Sequence, residues 1–343
     1  MQPIESVRWT ADQRAVRIID QRRLPNEFVE RDLTSLSEVC EAIRTLAVRG
    51  APAIGVCGAM GLVVVAASLA DKGRDDFLSQ VRRCASEISA TRPTAVNLSW
   101  ALDRVVGRAE QTPGPSAVAL DAMRQEATAI LDEDRAMCLR IGEAGAELLA
   151  NGARVLTHCN AGALATAGIG TALAPVYIAA AQGKNVRVLA TETRPLLQGS
   201  RLTAWELTRA GIPVTVITDG AAASRMRAGE VDVCIVGADR VVANGDVANK
   251  VGTYALAVLA RHHGLPFYVA MPSSTIDPTL PSGESITIEQ RDPREVSTLG
   301  DRMVTAELAV VGNAAFDVTP ASLITAFITD RGLVYPPYDF AGR

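Results

Sequence analysis

Five short runs constrain this chain more than any other feature. Residues 154–157, 186–190, 214–218, 231–236 and 267–270 are rich in apolar and β-branched side chains, and helix-compatible stretches separate them. A strand with one solvated face alternates apolar and polar residues. Near-continuous apolar runs belong to strands buried on both faces, as in parallel sheets. Strands of that kind alternating with helices imply right-handed crossovers and an open, doubly wound, Rossmann-like sheet. The texture before residue 150 differs. Short β-prone runs at 7–9, 15–19 and 27–30 precede a helix over 36–48, capped by Thr34 or Ser35 with Glu38 in its first turn. Apolar spacings of three and four residues then recur, as in 116–131 and 136–149. The expectation is an α/β chain in two parts. Residues 1–148 form a mainly helical domain carrying a small β-sheet, and residues 149–343 form the Rossmann-like domain.

Composition removes several classes of function. With 48% hydrophobic and 21% charged residues the chain is neither disordered nor fibrous. Its formal charge of −4 gives no overall attraction to nucleic acid or to an anionic membrane. The longest apolar stretch, 55–70, is shorter than the ~20 residues a spanning helix needs. It contains Gly55, Gly58 and Gly61 and reads as a buried helix, with a share in an interface between copies as a further use. The six cysteines form no CxxC pair and there are three histidines, so neither a disulfide framework nor a metal site is expected. The polar, charged start MQPIESVRWTADQR has no secretory pattern, which sets a cytoplasmic expectation. Neither GxGxxG nor GxxxxGK[ST] occurs. No nucleotide cofactor is expected, and Gly168-Ile169-Gly170-Thr171 reads as close helix packing.

In doubly wound sheets, ligands bind outside the carboxyl ends of the strands. Those ends here read His158-Cys159-Asn160-Ala161-Gly162, Glu192-Thr193-Arg194-Pro195, Asp219-Gly220, Gly237-Ala238-Asp239-Arg240 and Pro272-Ser273-Ser274. All are polar or small, which suits a small polar molecule. Cys159 and Asp239 are the residues with chemistry to offer. A free cysteine is usually buried and inert, and a strand-end aspartate often caps a helix or pairs with a neighbour such as Arg240. Phosphate is one reading of several segments, a plain helix start or a solvated arginine being the other. Arg49-Gly50-Ala51-Pro52 places a cation at a small-residue helix start whose amides can hold an anion. Asn249-Lys250 precedes another apolar helix, and Arg92-Pro93 and Arg194-Pro195 offer guanidinium groups. Lys250 is one of only three lysines. His262 and His263 read as helix-end caps.

Taken in order, these segments resemble the methylthioribose-1-phosphate isomerase family, which also includes the regulatory subunits of eukaryotic initiation factor 2B. The resemblance runs from about residue 5 to residue 330. It is carried by Arg49–Gly55, Arg92-Pro93-Thr94, His158–Gly162, Thr191–Pro195, Gln198–Ala204, Gly237–Arg240, Asn244-Gly245-Asp246, Asn249–Thr253 and Ile288–Pro293. The resemblance implies conversion of 5-methylthioribose 1-phosphate to 5-methylthioribulose 1-phosphate, a step of methionine salvage. It implies Asp239 as the proton donor that opens the ring and Cys159 as the second catalytic group. Arg49, Gly50, Ala51, Arg92, Gln198, Asn249 and Lys250 are implied as substrate-binding residues, without metal or cofactor, in a homodimer. For Asp239 to stay protonated, apolar walls must bury it and raise its pKa. Hydrogen moves from C2 to C1 either as a proton through an enediol or as a hydride, and the residues do not choose between them. Sister isomerases of 5-deoxyribose 1-phosphate or ribose 1,5-bisphosphate would use the same pair, whereas non-catalytic regulatory subunits lack it. One departure is Ala314, where the family usually has proline.

Overall fold

The computed structural model describes residues 4–93 and 95–341. Thr94 of the Arg92–Thr94 motif lies outside them. The chain forms two compact units, Gln2–Leu139 with Gly162–Gly170, and Arg140–Ala161 with Thr171–Arg343. The division falls inside a long helix, before the boundary expected at residues 148–149. The last turns of that helix belong with the second unit, where Gly142 leaves room for Ile178.

In the first unit, β1 (Val7–Trp9), β2 (Val16–Ile19) and β3 (Glu30–Leu33) form an antiparallel sheet in sequence order. The third strand lies three residues later than its apolar pattern suggested. Helix α1 (Leu36–Arg44) starts at Ser35, not Thr34. The Ser35 hydroxyl accepts the Glu38 N–H, and Glu38 accepts the Ser35 N–H at 3.0 Å, a reciprocal cap. Helices α2 (Ala51–Ala67), α3 (Arg74–Ser89), α4 (Val96–Gln111) and α5 (Ser116–Ala146) follow. The apolar stretch of α2 is buried, as expected. A Cβ on Gly58 would overlap Leu98, and one on Gly61 would lie 2.8 Å from Val39, so its small residues let α4 and α1 approach. The chain's own helices thus cover residues 55–64. Among the described residues no helix is long and apolar enough to cross a membrane.

Helix α5 is continuous and takes in the apolar-periodic run 116–131 and most of the run 136–149. Between those runs Asp134 turns inward and is buried. Its carboxylate accepts the Ala167 N–H at 2.6 Å, which ties down segment 162–170. Burial pushes its pKa up to about 6 from 3.8. A folded pKa above the unfolded one means a stability contribution that is lost as pH rises from about 4 through 6. Asp134→Asn keeps an acceptor for Ala167 and removes the buried charge. At pH 8 it is expected to raise stability by roughly 2–3 kcal/mol, with the gain vanishing near pH 4, in urea titrations at both pH values.

The second unit holds a seven-stranded sheet. Its strands are β4 (Arg154–Thr157), β5 (Arg187–Thr191), β6 (Val214–Ile217), β7 (Val233–Val236), β10 (Phe267–Ala270), β15 (Ala326–Thr329) and β16 (Gly332–Val334). Their spatial order is β16-β15-β10-β7-β4-β5-β6, all parallel except β16. The doubly wound order is therefore present, with a sixth parallel strand, β15, that the five apolar runs did not include. Helices α6 (Ala174–Ala181), α7 (Ala204–Arg209), α8 (Ala222–Arg227) and α9 (Thr253–His262) lie between strands in the chain. A second sheet, β11-β8-β9-β14, is built from β8 (Arg240–Val242), β9 (Val247–Lys250), β11 (Ile276–Asp277) and β14 (Phe316–Thr319). Asn244-Gly245 turns the β8–β9 hairpin, with Gly245 at φ +86°. A short hairpin, β12 (Thr298–Leu299) and β13 (Arg302–Met303), precedes β14.

Candidate functional site

The order of the large sheet reverses between β4 and β7. From β4 the chain proceeds to β5 and β6 on one side, then returns to β7, β10 and β15 on the other. Ligands of doubly wound sheets bind at that reversal, beyond the carboxyl ends. The two strands that flank it end in His158-Cys159 and Gly237-Ala238-Asp239. Thr157 Oγ1 donates to Ile235 O at 2.8 Å, keeping the ends level. A Cβ on Gly237 would lie 2.9 Å from Ala161 Cβ, so the two loops touch where glycine stands.

Cys159 has φ +62°, the left-handed region that non-glycine residues rarely occupy. Such a backbone costs on the order of 1–3 kcal/mol and persists only when its surroundings hold it. Its N–H donates to Thr193 Oγ1 at 2.8 Å, and its carbonyl accepts from Thr203 Oγ1 at 2.6 Å. Thr193 is itself left-handed, at φ +65°. The Asp219 carboxylate anchors it by accepting the Thr193 and Arg194 N–H groups, each at 2.8 Å. Thr203 ends a five-residue π turn, Gly199–Thr203. A Cβ on Gly199 would overlap Thr191 O, so that turn sits directly on the end of β5. Asn160 is buried and donates to Thr203 Oγ1 at 3.2 Å and to Glu206 Oε1 at 3.1 Å. Cys159 is half-buried, and the other five cysteines are buried.

His158 is locked. Nε2 lies 2.8 Å from Val251 O and must donate, so Nδ1 accepts from Thr191 Oγ1 at 2.6 Å. Burial holds its pKa below the ordinary 6.5. An unfolded histidine takes up a proton below about pH 6.5 that the folded one refuses, so its contribution to stability falls as pH drops through that value. His158 is thus a neutral spacer beside Cys159. Nitrogen-15 NMR is expected to show the Nε2–H tautomer unchanged from pH 8 to pH 6, and a titration centred at 6.5 would contradict this.

Asp239 is exposed, and its N–H donates to Ala248 O at 3.0 Å. The apolar burial expected of it is not found. The wholly buried residues are those of β7, and Gly237-Ala238 carry the chain out of the sheet before the carboxylate. The Arg240 guanidinium lies 3.1 Å from Asp277.

The remaining candidates divide between the units. Gln198, Asn249 and Lys250 belong to the second. The Gln198 side chain is buried with no partner on Oε1, an acceptor available to a hydroxyl. Asn249 is buried and donates to Thr253 Oγ1 at 3.0 Å. Lys250 Nζ is buried, donates to Ala315 O at 2.9 Å and lies 5.1 Å from the centre of the Phe316 ring. One of its three donors is thus spent on the backbone. Asp317, also facing Lys250, accepts the Gly252 and Tyr254 N–H groups at the start of α9. Arg194 is less available than expected, since its guanidinium donates to Pro195 O and Val296 O at 2.9 and 2.8 Å. Arg49, Gly50, Ala51 and Arg92 belong to the first unit. Gly50 precedes α2 at φ +96°, with Pro52 in the first turn, and Arg49 and Arg92 are half-buried.

Ala314 pairs with Gln290 in a bridge held by Arg291 N–H on Asn313 O and Ala315 N–H on Glu289 O, each at 2.9 Å. The bridge draws no N–H from position 314, so a proline or an alanine serves there equally. The chemistry of Thr191, Thr193, Thr203, Asp219 and Glu206 was not visible in advance. Thr191, Thr193, Thr203 and Asp219 stood within noted segments, but a threonine gives no sign that its backbone is left-handed.

The Initiation factor 2 subunit family model matches residues 47–336. The chain is 56% identical to the methylthioribose-1-phosphate isomerase of Gemmatimonas aurantiaca, covering 99% of this chain and 97% of that one. It is 52% identical to the 5-deoxyribose 1-phosphate isomerase of Moorella thermoacetica, covering 98% and 96%. The crystal structure of 5-methylthioribose 1-phosphate isomerase from Pyrococcus horikoshii superposes with a TM-score of 0.92 at 46% identity, covering 97% and 93%.

Proposed function

Since the chain belongs to the Initiation factor 2 subunit family, and to its isomerase branch by near-full-length identity, we propose that it isomerises 5-methylthioribose 1-phosphate to 5-methylthioribulose 1-phosphate in methionine salvage. The observation that carries the chemical reading is the placement of Cys159 and Asp239 on the two loops that flank the strand-order reversal, with Gly237 against Ala161 between them.

The substrate's C1 oxygen carries phosphate, so its ring cannot open as a free sugar's does. A general acid at O4 lets the C1–O4 bond break. Asp239 takes that part, and bound substrate is what would shield its exposed carboxyl from water. Hydrogen then passes from C2 to C1, leaving a C2 ketone and a C1 methylene that still bears the phosphate. Cys159 serves this step, as a base for a proton or as a thiol beside a migrating hydride. Gln198 and Asn249 suit the hydroxyls. Lys250, Arg49 and Arg92, with the amides of Gly50 and Ala51, suit the phosphate. No cofactor or metal is needed in this scheme. Cytoplasmic location and a homodimeric state complete the proposal, and the resemblance alone carries the second.

The name of the Moorella thermoacetica relative keeps a second substrate in view. Steady-state kinetics with 5-methylthioribose 1-phosphate, 5-deoxyribose 1-phosphate and ribose 1,5-bisphosphate decide it. The proposal expects the highest kcat/KM for the methylthio sugar. A higher value for either of the others would reassign the substrate, and no turnover of any would leave the binding-subunit reading in place.

A further inference from the structure

We propose that Thr193 and Thr203 are positioning residues that clamp the backbone of Cys159 from both sides and thereby aim its thiol; this rests on the role proposed for Cys159. The two hydroxyls take the only two polar backbone groups Cys159 has. Thr193 Oγ1 accepts its N–H at 2.8 Å, and Thr203 Oγ1 donates to its carbonyl at 2.6 Å. Neither hydroxyl is left to swing. Thr193 Oγ1 lies 3.2 Å from both Thr191 O and Thr191 Oγ1, and Thr203 Oγ1 accepts from Asn160 Nδ2. Both threonines are fully buried. Each jaw also has its own anchor. Asp219 grips the Thr193 backbone, and Glu206 holds Asn160 behind Thr203.

The clamp has work to do because the Cys159 backbone is left-handed, at φ +62°. A non-glycine residue released from such constraints returns to an extended or right-handed backbone. That rotation would swing the Cα–Cβ bond and carry Sγ away from its present place. Misplacing a reacting group by about 1 Å can cost about 10²-fold in rate.

The test uses Thr203→Val, Thr203→Ser and Thr193→Val in the full-length protein. Two readouts apply: steady-state kinetics, and the pH–rate profile of Cys159 alkylation by iodoacetamide. Alkylation is selective because the other five cysteines are buried. Each valine variant is expected to lose about 10²-fold in kcat with KM little changed, and to shift the alkylation profile. Thr203→Ser keeps the hydroxyl and is expected to restore both. Wild-type kcat and an unshifted profile in both valine variants would overturn the clamp. Loss of activity with an unshifted profile would overturn it too, since the thiol would then be unmoved. If Thr203→Val does not fold, as judged by circular dichroism, the alkylation profile of Thr193→Ala decides in its place. Cys159→Ser separates the two claims. Full activity there would remove the role of Cys159, while the alkylation profiles would still report on the clamp.

Discussion

Asp239→Asn is expected to lower kcat by about 10²–10⁴-fold, the span typical of a lost general acid or base. The amide matches the carboxyl in size and has no acidic proton to give to O4. Asp239 is exposed, and the interactions of exposed charged groups contribute only about 0–1 kcal/mol to stability. The melting midpoint should therefore stay near that of the wild type. KM should change little, since the acid acts on the breaking C1–O4 bond more than on the bound ground state. Steady-state kinetics together with a thermal melt check both halves. Normal kcat in a well-folded Asp239→Asn protein would remove Asp239 from the mechanism.

The second large effect is structural. In Gly199→Ala the new Cβ would occupy the place of Thr191 O and come within 3.0 Å of Thr193 Oγ1. The obstacle is strand backbone, which cannot rotate aside as a side chain can. The turn Gly199–Thr203 must lift off the end of β5, and Thr203 leaves the Cys159 carbonyl with it. Overpacking alone costs about 1–3 kcal/mol. Broken buried hydrogen bonds add about 1–3 kcal/mol for each group left unpaired. A loss of about 3 kcal/mol or more is expected in urea titration, along with loss of turnover. A Gly199→Ala protein with wild-type stability would show that the close approach at Thr191 is not a constraint.

How much of this was legible in the residues depends on the kind of interaction. The parallel strands announced themselves because burial on both faces demands an apolar run. Residues 154–157 and 267–270 were placed to the residue. The position of Cys159 and Asp239 followed from the rule for strand ends, before any resemblance was used. What stayed hidden came from tertiary contacts. The strand β15, Ala-Phe-Ile-Thr, is as short as β4 and β10 and was not among the five runs. The second sheet rests on short strands, one of which, β9, carries polar residues that tertiary contacts bury, Asn249 and Lys250. Nothing in the periodicity of 116–149 marks Asp134 as the charge that turns inward to meet Ala167. The exposure of Asp239 was misjudged because its neighbours in β7 are apolar. A strand's burial ends where glycine turns the chain away. The clamp on Cys159 was beyond reach, since a left-handed threonine and a left-handed cysteine exist only where the surrounding hydrogen bonds hold them.

The central claim is that this chain moves hydrogen between C2 and C1 of a sugar 1-phosphate through Asp239 and Cys159. Carbon-13 NMR of 5-methylthioribose 1-phosphate labelled at C1, incubated with the purified protein, follows that carbon directly. The account predicts that the anomeric signal gives way to a phosphorylated methylene signal, and that this conversion is lost in Asp239→Asn and Cys159→Ser. An anomeric signal that persists with the wild-type protein, or a methylene signal that forms equally fast in both variants, would contradict it.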